Sequence, residues 1–191
     1  MCLVGVWEND PVAWAALRKE LGNTYPTMEN IDSFPLLDSF FYELERCFMR
    51  PAFKFMRAKR DFNMPAGDGN RYRIREGEIV QAYFGMALRD PTVFSNPEEF
   101  DAWRFINNPE LKKKVWMFGH VEGSKYFNGC AAYLSGFAGK QHKLILAHFL
   151  QRVNFQLNGK PDIKGDYISV YHPLDIKFSH FRLRHIDYDQ H

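Results

Sequence analysis

Cys130 stands just ahead of a helix-forming stretch, and it is the residue of this chain best placed for thiolate chemistry. A cysteine at a helix entrance meets the positive end of the helix dipole. That favours the thiolate, the form that binds metals and attacks electrophiles. Glu43 and Arg46 lie three residues apart in an apolar-periodic stretch, so a carboxylate and a guanidinium share one helix face. Alone they would form a surface pair of little energetic weight. The residues downstream raise that weight. Phe100-Asp-Ala-Trp-Arg104-Phe105 comes after a proline-rich turn, then Trp116-Met-Phe118-Gly119, then Cys130. Arg104, brought in from that loop, would complete a three-member network with Glu43 and Arg46.

The other thiols and imidazoles carry less. Cys47 sits inside the amphipathic stretch and reads as core, and Cys2 is terminal. Three widely spaced cysteines make neither a disulfide framework nor a Cys-x-x-Cys zinc pattern, so a reducing compartment fits best. His148 reads as a satisfied helix-face residue. His172, His180, His185 and His191 lack metal-ligand spacing. A thiol enzyme pairing Cys130 with His120 or His142 has no motif behind it.

Several elements must hold these residues. Asp10 caps a first helix that has Pro11 at its first position and ends at Gly22. A second helix runs from about Pro35 to Met49, with Leu37, Phe40, Phe41, Leu44 and Phe48 on one face. Tyr72 to Ile74 and Ile79 to Tyr83 read as two short strands around a turn at Glu76 and Gly77. Arg89 to Asn128 is loop-rich, and a long irregular stretch inside a domain is often functional. A third helix covers roughly Gly136 to Gln151, and Ile168 to Tyr171 and Ile176 to Leu183 look like strands.

The bulk properties suit one folded domain. The chain has 191 residues, 46% of them hydrophobic, with 18 Phe, enough for a substantial core. The net charge of +2 offers no case for nucleic-acid binding. The short basic runs Arg57 to Arg60 and Lys112 to Lys114 read as solvated faces. Glu8 and Asp10 interrupt the N-terminal stretch, so neither a signal peptide nor a transmembrane anchor is expected, and an intracellular location is favoured.

Taken in order, the motifs resemble the C-terminal portion of the cytochrome P450 superfamily over nearly the whole chain, with filamentous fungal members looking closest. Asp10 to Gly22 is similar to the J helix. Phe34-Pro-Leu-Leu-Asp-Ser-Phe-Phe-Tyr-Glu43-Leu-Glu-Arg46 looks like the K helix with its Glu-x-x-Arg motif. Arg75-Glu-Gly-Glu, Ala87-Leu-Arg89-Asp90-Pro91 and Phe94 to Phe100 match the strand pair and the meander approach. Phe137-Ala138 and Lys143 to Leu150 resemble the L helix. The resemblance implies a mainly α fold with small β-sheets, residues 1–191 forming a single partial domain that lacks the I helix and the N-terminal half. It implies heme as cofactor, held by Cys130 as axial iron ligand. Arg57, His120 and Lys125 would be propionate partners, and Glu43, Arg46 and Arg104 the structural network. It further implies a monooxygenase served by an electron-donor reductase and acting with O₂ on a lipophilic substrate.

At the heme loop this sequence departs from the family pattern Phe-x-x-Gly-x-x-x-Cys-x-Gly. Phe118-Gly119 opens it, but Cys130 comes later than that spacing allows, and Ala132 stands where the family has glycine. The alternative expectation is therefore a truncated or degenerate chain without heme or catalysis, kept for a structural or binding role.

Overall fold

A computed structural model describes residues 10–48, 53–115, 136–157, 162–164, 172–174, 178–183 and 186. Three helices carry the main core. In α1 (Pro11–Leu21) the Asp10 carboxylate accepts from the Ala13 amide at 2.8 Å, and the helix stops at Gly22, whose φ of +49° suits glycine. A short 3₁₀ turn (Ile31–Ser33) leads into α2 (Pro35–Phe48). The long helix α5 (Phe137–Arg152) closes the group. Trp14, Leu17, Leu37, Phe40, Leu146 and Leu150 interlock between the three. That apolar seam follows from the three- and four-residue spacing within each helix.

Polar contacts set how the helices meet. Glu20 of α1 accepts from the amides of Leu36 and Leu37 at 2.7 and 2.9 Å, so a carboxylate from one helix caps the first turn of another. Burial pushes the Glu20 pKa up, although the two amides act against it. Arg18, also on α1, donates to the carbonyls of Leu150 and Val153 at the C-terminal end of α5. That places a cation where the helix dipole favours one. Replacing Glu20 with alanine strands both amides, and the expected loss is about 1–2 kcal/mol, read as a lower urea midpoint at unchanged slope.

The described strands pair into four two-stranded antiparallel sheets. β1 (Phe53–Arg57) pairs with β4 (Ile79–Tyr83), and β2 (Phe62–Pro65) with β3 (Arg71–Ile74). The two strands expected around Glu76 and Gly77 both exist, but they belong to different sheets. Gly77, at φ +86°, turns the chain, and Ala58 bonds both to it and to Glu78 through the main chain. The turn therefore docks on the end of β1, and β4 takes β1 as its partner. Near the C-terminus β5 (Val153–Leu157) pairs with β8 (Phe178–Leu183), and β6 (Asp162–Lys164) with β7 (His172–Leu174). The expected strand at Ile168 to Tyr171 lies outside the described residues.

The stretch expected to be irregular from Arg89 holds some order. A short helix α3 (Phe84–Ala87) precedes it, α4 (Arg104–Asn107) lies within it, and a 3₁₀ helix spans Pro109–Lys114. Phe41, Leu88, Phe94, Phe105 and Val115 form a second, smaller core beneath it. Ser39 of α2 ties this layer down, donating to the Ala102 carbonyl at 2.6 Å and accepting from the Phe105 amide.

Candidate functional site

Glu43 is the hub of the described site, and its side chain is fully buried. Its Oε2 accepts from Arg46 Nε at 2.8 Å, and its Oε1 from Arg46 Nη2 at 2.8 Å. This is a two-pronged pair across one helical turn. Arg104 Nε lies 3.1 Å from both carboxylate oxygens, and the Asp101 amide adds a bond at 3.0 Å. Two guanidiniums thus share one carboxylate, leaving a positive charge that must be spread over other acceptors.

Those acceptors are main-chain carbonyls of the segment that runs between Leu88 and Arg104. Arg46 donates to Leu88, Pro97 and Glu99, and Arg104 to Ser95, Asn96 and Glu99. Asn96 sits at φ +45°, a left-handed conformation that asparagine tolerates better than most residues. The Arg46 guanidinium also lies over the Phe94 ring, 5.4 Å from its centroid. Burial works against its charge, but the bonds to Glu43 outweigh this and hold its pKa above the ordinary arginine value. Without such bonds a segment this irregular would have buried carbonyls and no partners for them.

Cys47, on the same helix, is pushed up to about 12, chiefly by burial and then by the Glu43 charge. It stays a thiol, and instead of joining the apolar core expected for it, the half-buried sulfur accepts from Arg46 Nη2 at 3.0 Å and donates to Glu43 Oε1 at 3.8 Å. Cys130, His120 and Lys125 lie outside the described residues. Arg57 is exposed on β1, where its Nη1 donates to the Gly77 carbonyl at 3.1 Å, and it shares no hydrogen bond with the Glu43 network. An exposed guanidinium fork is suitable donor chemistry for a carboxylate such as a heme propionate. The donor chemistry of Arg57 is thus compatible with the role that the resemblance implies, and Cys130, the expected iron ligand, lies outside the described residues. His148 differs from the satisfied residue expected. Its ring meets Tyr25 edge-on at 5.1 Å, and its buried Nδ1 has no hydrogen-bond partner among the described residues. Burial first, then Arg152, lowers its pKa.

Two features escaped sequence reasoning. Lys112 leaves the basic run that reads as solvated, and with Lys143 it binds Asp38 of α2. Glu45 is largely buried, and burial raises its pKa to about 7. The Glu-x-x-Arg spacing draws the eye to Glu43 and gives no sign of its neighbour.

The model of the family described as Cytochrome P450 matches residues 9–179. A mitochondrial hydroperoxide bicyclase of Ectocarpus siliculosus is 34% identical over 94% of this chain and 36% of its own length. Another, from Plasmodiophora brassicae, is 35% identical over 85% of this chain and 31% of its own. The chain thus spans about a third of the length of these relatives. Among solved structures, a zebra fish cytochrome P450 with abiraterone superposes with a TM-score of 0.72. It is 19% identical and is matched over 97% of this chain and 44% of that one. These relatives come from a brown alga and a plasmodiophorid and do not support the expected likeness to filamentous fungal members. Their names describe hydroperoxide conversion and do not support oxygen insertion from O₂. Among the described residues no helix is long and apolar enough to cross a membrane. Helices joined to small antiparallel sheets, a family match over most of the length and a superposition on a solved member agree, and this chain belongs to the cytochrome P450 family, whose prosthetic group is heme.

Proposed function

We propose that this chain is the heme-thiolate part of an enzyme that rearranges a lipophilic organic hydroperoxide, with Cys130 as the iron ligand. The observation that carries this reading is the 34% identity to a hydroperoxide bicyclase across 94% of the chain. The chemistry balances without outside help. A hydroperoxide brings both oxygen atoms and its own oxidising equivalents, so its isomerisation needs neither O₂ nor electrons. In this reading no reductase partner is required, unlike the monooxygenase cycle that the motifs first suggest. When bound, thiolate-ligated heme supplies an electron-rich iron that favours O–O cleavage.

The chain's own residues hold and orient. Arg57 binds a propionate, with His120 and Lys125 as further donors from the 116–135 segment. Glu43, Arg46 and Arg104 keep residues 88–104 folded beside α2, so that the proximal wall is already formed before substrate arrives. Residues 1–191 form part of one P450 domain.

The test is heme titration of the chain, followed by reduction under CO and by anaerobic incubation with a long-chain alkyl hydroperoxide. The expected results are a red-shifted Soret band that Cys130→Ala abolishes, and hydroperoxide loss with no reductant present. Turnover that demands O₂ and a reductase would restore the monooxygenase assignment. A chain that takes up no heme and melts at the same temperature with or without it would instead be a heme-free remnant, the reading that the irregular Cys130 spacing favours.

A further inference from the structure

One carboxylate holds both flanks of the 116–135 segment. Asp38, in the first turn of α2, accepts from Lys143 Nζ at 2.8 Å on Oδ1 and from Lys112 Nζ at 2.5 Å on Oδ2. Lys112 lies in the 3₁₀ helix that ends at Lys114, just before the segment begins. Lys143 lies in the second turn of α5, just after the segment ends. Asp32 takes a second bond from Lys143 at 2.7 Å and one from Lys140 at 2.9 Å. Both of its lysines belong to α5, so Asp32 ties that helix only to the 3₁₀ turn at Ile31–Ser33. Among the described residues, Asp38 is the carboxylate that reaches across.

The surroundings show a built arrangement. The Lys143 side chain is only 3% exposed, and a buried ammonium is tolerated only when paired and hydrogen-bonded. Its Nζ lies 6.0 Å from the centroid of the Phe41 ring, and that of Lys112 lies 5.2 Å from the centroid of Tyr42. Burial opposes the Lys143 charge, yet its bonds to Asp32 and Asp38 prevail and raise its pKa. The sequence separations are 74 and 105 residues, so each contact closes a long stretch of chain.

We propose that Asp38 is a positioning residue: by binding Lys112 and Lys143 together, it fixes the separation of Val115 and Gly136, the two ends between which the Cys130 segment runs. The clamp itself is made of described residues, whereas its consequence for iron ligation rests on the heme-thiolate reading. Releasing one arm lets the ends drift, and a ligand displaced by about 1 Å no longer matches the geometry its metal needs.

Hydrogen exchange of the 191-residue chain, then spectra of the heme-loaded chain, test this with three variants. In Asp38→Asn and Lys112→Met, amides of residues 110–115 exchange about tenfold faster, while those of residues 12–21 are unchanged. Asp32→Asn removes the ion pairs to Lys140 and Lys143 but not the bridge, so it leaves 110–115 at the wild-type rate. Lys112 is partly exposed, so Lys112→Met supplies the answer if Asp38→Asn does not fold. At equal heme uptake, the red-shifted ferrous-CO band weakens in the two bridge variants and persists in Asp32→Asn. Wild-type exchange in both bridge variants overturns the clamp whatever the heme does. Faster exchange with the band at full strength overturns its positioning role. If the wild type itself shows no such band, the heme-thiolate reading falls, and the exchange result still decides the clamp.

Discussion

Replacing Glu43 with alanine is expected to cost about 3–5 kcal/mol, the largest loss of any single substitution considered for this chain. The reason is what stays behind. Arg46 and Arg104 are 1% and 4% exposed, and without the carboxylate both guanidiniums remain buried with an uncompensated charge. Their other bonds go to carbonyls of residues 88–99, so the segment that they stitch together loosens with them. Glu43→Gln keeps the shape and one acceptor oxygen but loses the charge, so it falls between alanine and the wild type. Chemical denaturation with tryptophan fluorescence measures the series. A loss below about 1 kcal/mol for the alanine variant, the level of a surface pair, would mean that the triad contributes little to holding the fold.

Glu45→Gln is expected to act in the opposite direction, and only at high pH. In the folded chain burial raises the Glu45 pKa from 4.5 to about 7. The folded state therefore keeps a proton that the unfolded state has already released. Stability contributed by the neutral form is fully present below the unfolded pKa. It drains away as pH rises toward the folded value and stays lost above it. Ionised Glu45 costs roughly 2–3 kcal/mol there, from a shift of this size discounted for partial solvent access. Glutamine removes the charge at every pH, so the variant should melt close to wild type at pH 4.5 and several degrees higher at pH 8.5. Equal melting temperatures at pH 8.5 would show that water or another chain segment reaches this carboxylate.

Both predictions come from one turn of α2, yet the two carboxylates differ in how far sequence could reveal them. Glu43 and Arg46 are neighbours on any helix because a turn brings residues three apart together, so spacing was enough to pair them. Arg104 was placed with them by its position in an ordered set of motifs. Glu45 carries no such mark. Whether it is solvated or buried depends on what packs over that side of α2. The two strands around Gly77 show the same limit. Their existence was legible from composition, but a strand's partner is chosen by the sheet edges that the rest of the chain presents, which no local pattern encodes.

By itself the sequence determined the local elements and the order of motifs: caps and stops of α1, the apolar faces of α2 and α5, and the Glu-x-x-Arg pair. These depend on contacts within a few residues, where backbone geometry dictates which side chains meet. Only the tertiary structure decided that Glu20 and Arg18 cap helices other than their own. The same holds for Lys112 leaving a basic run to meet Lys143 on Asp38, and for the burial of Glu45. Those outcomes turn on which distant surfaces come together and exclude water, and burial is a property of that assembly rather than of any stretch of chain.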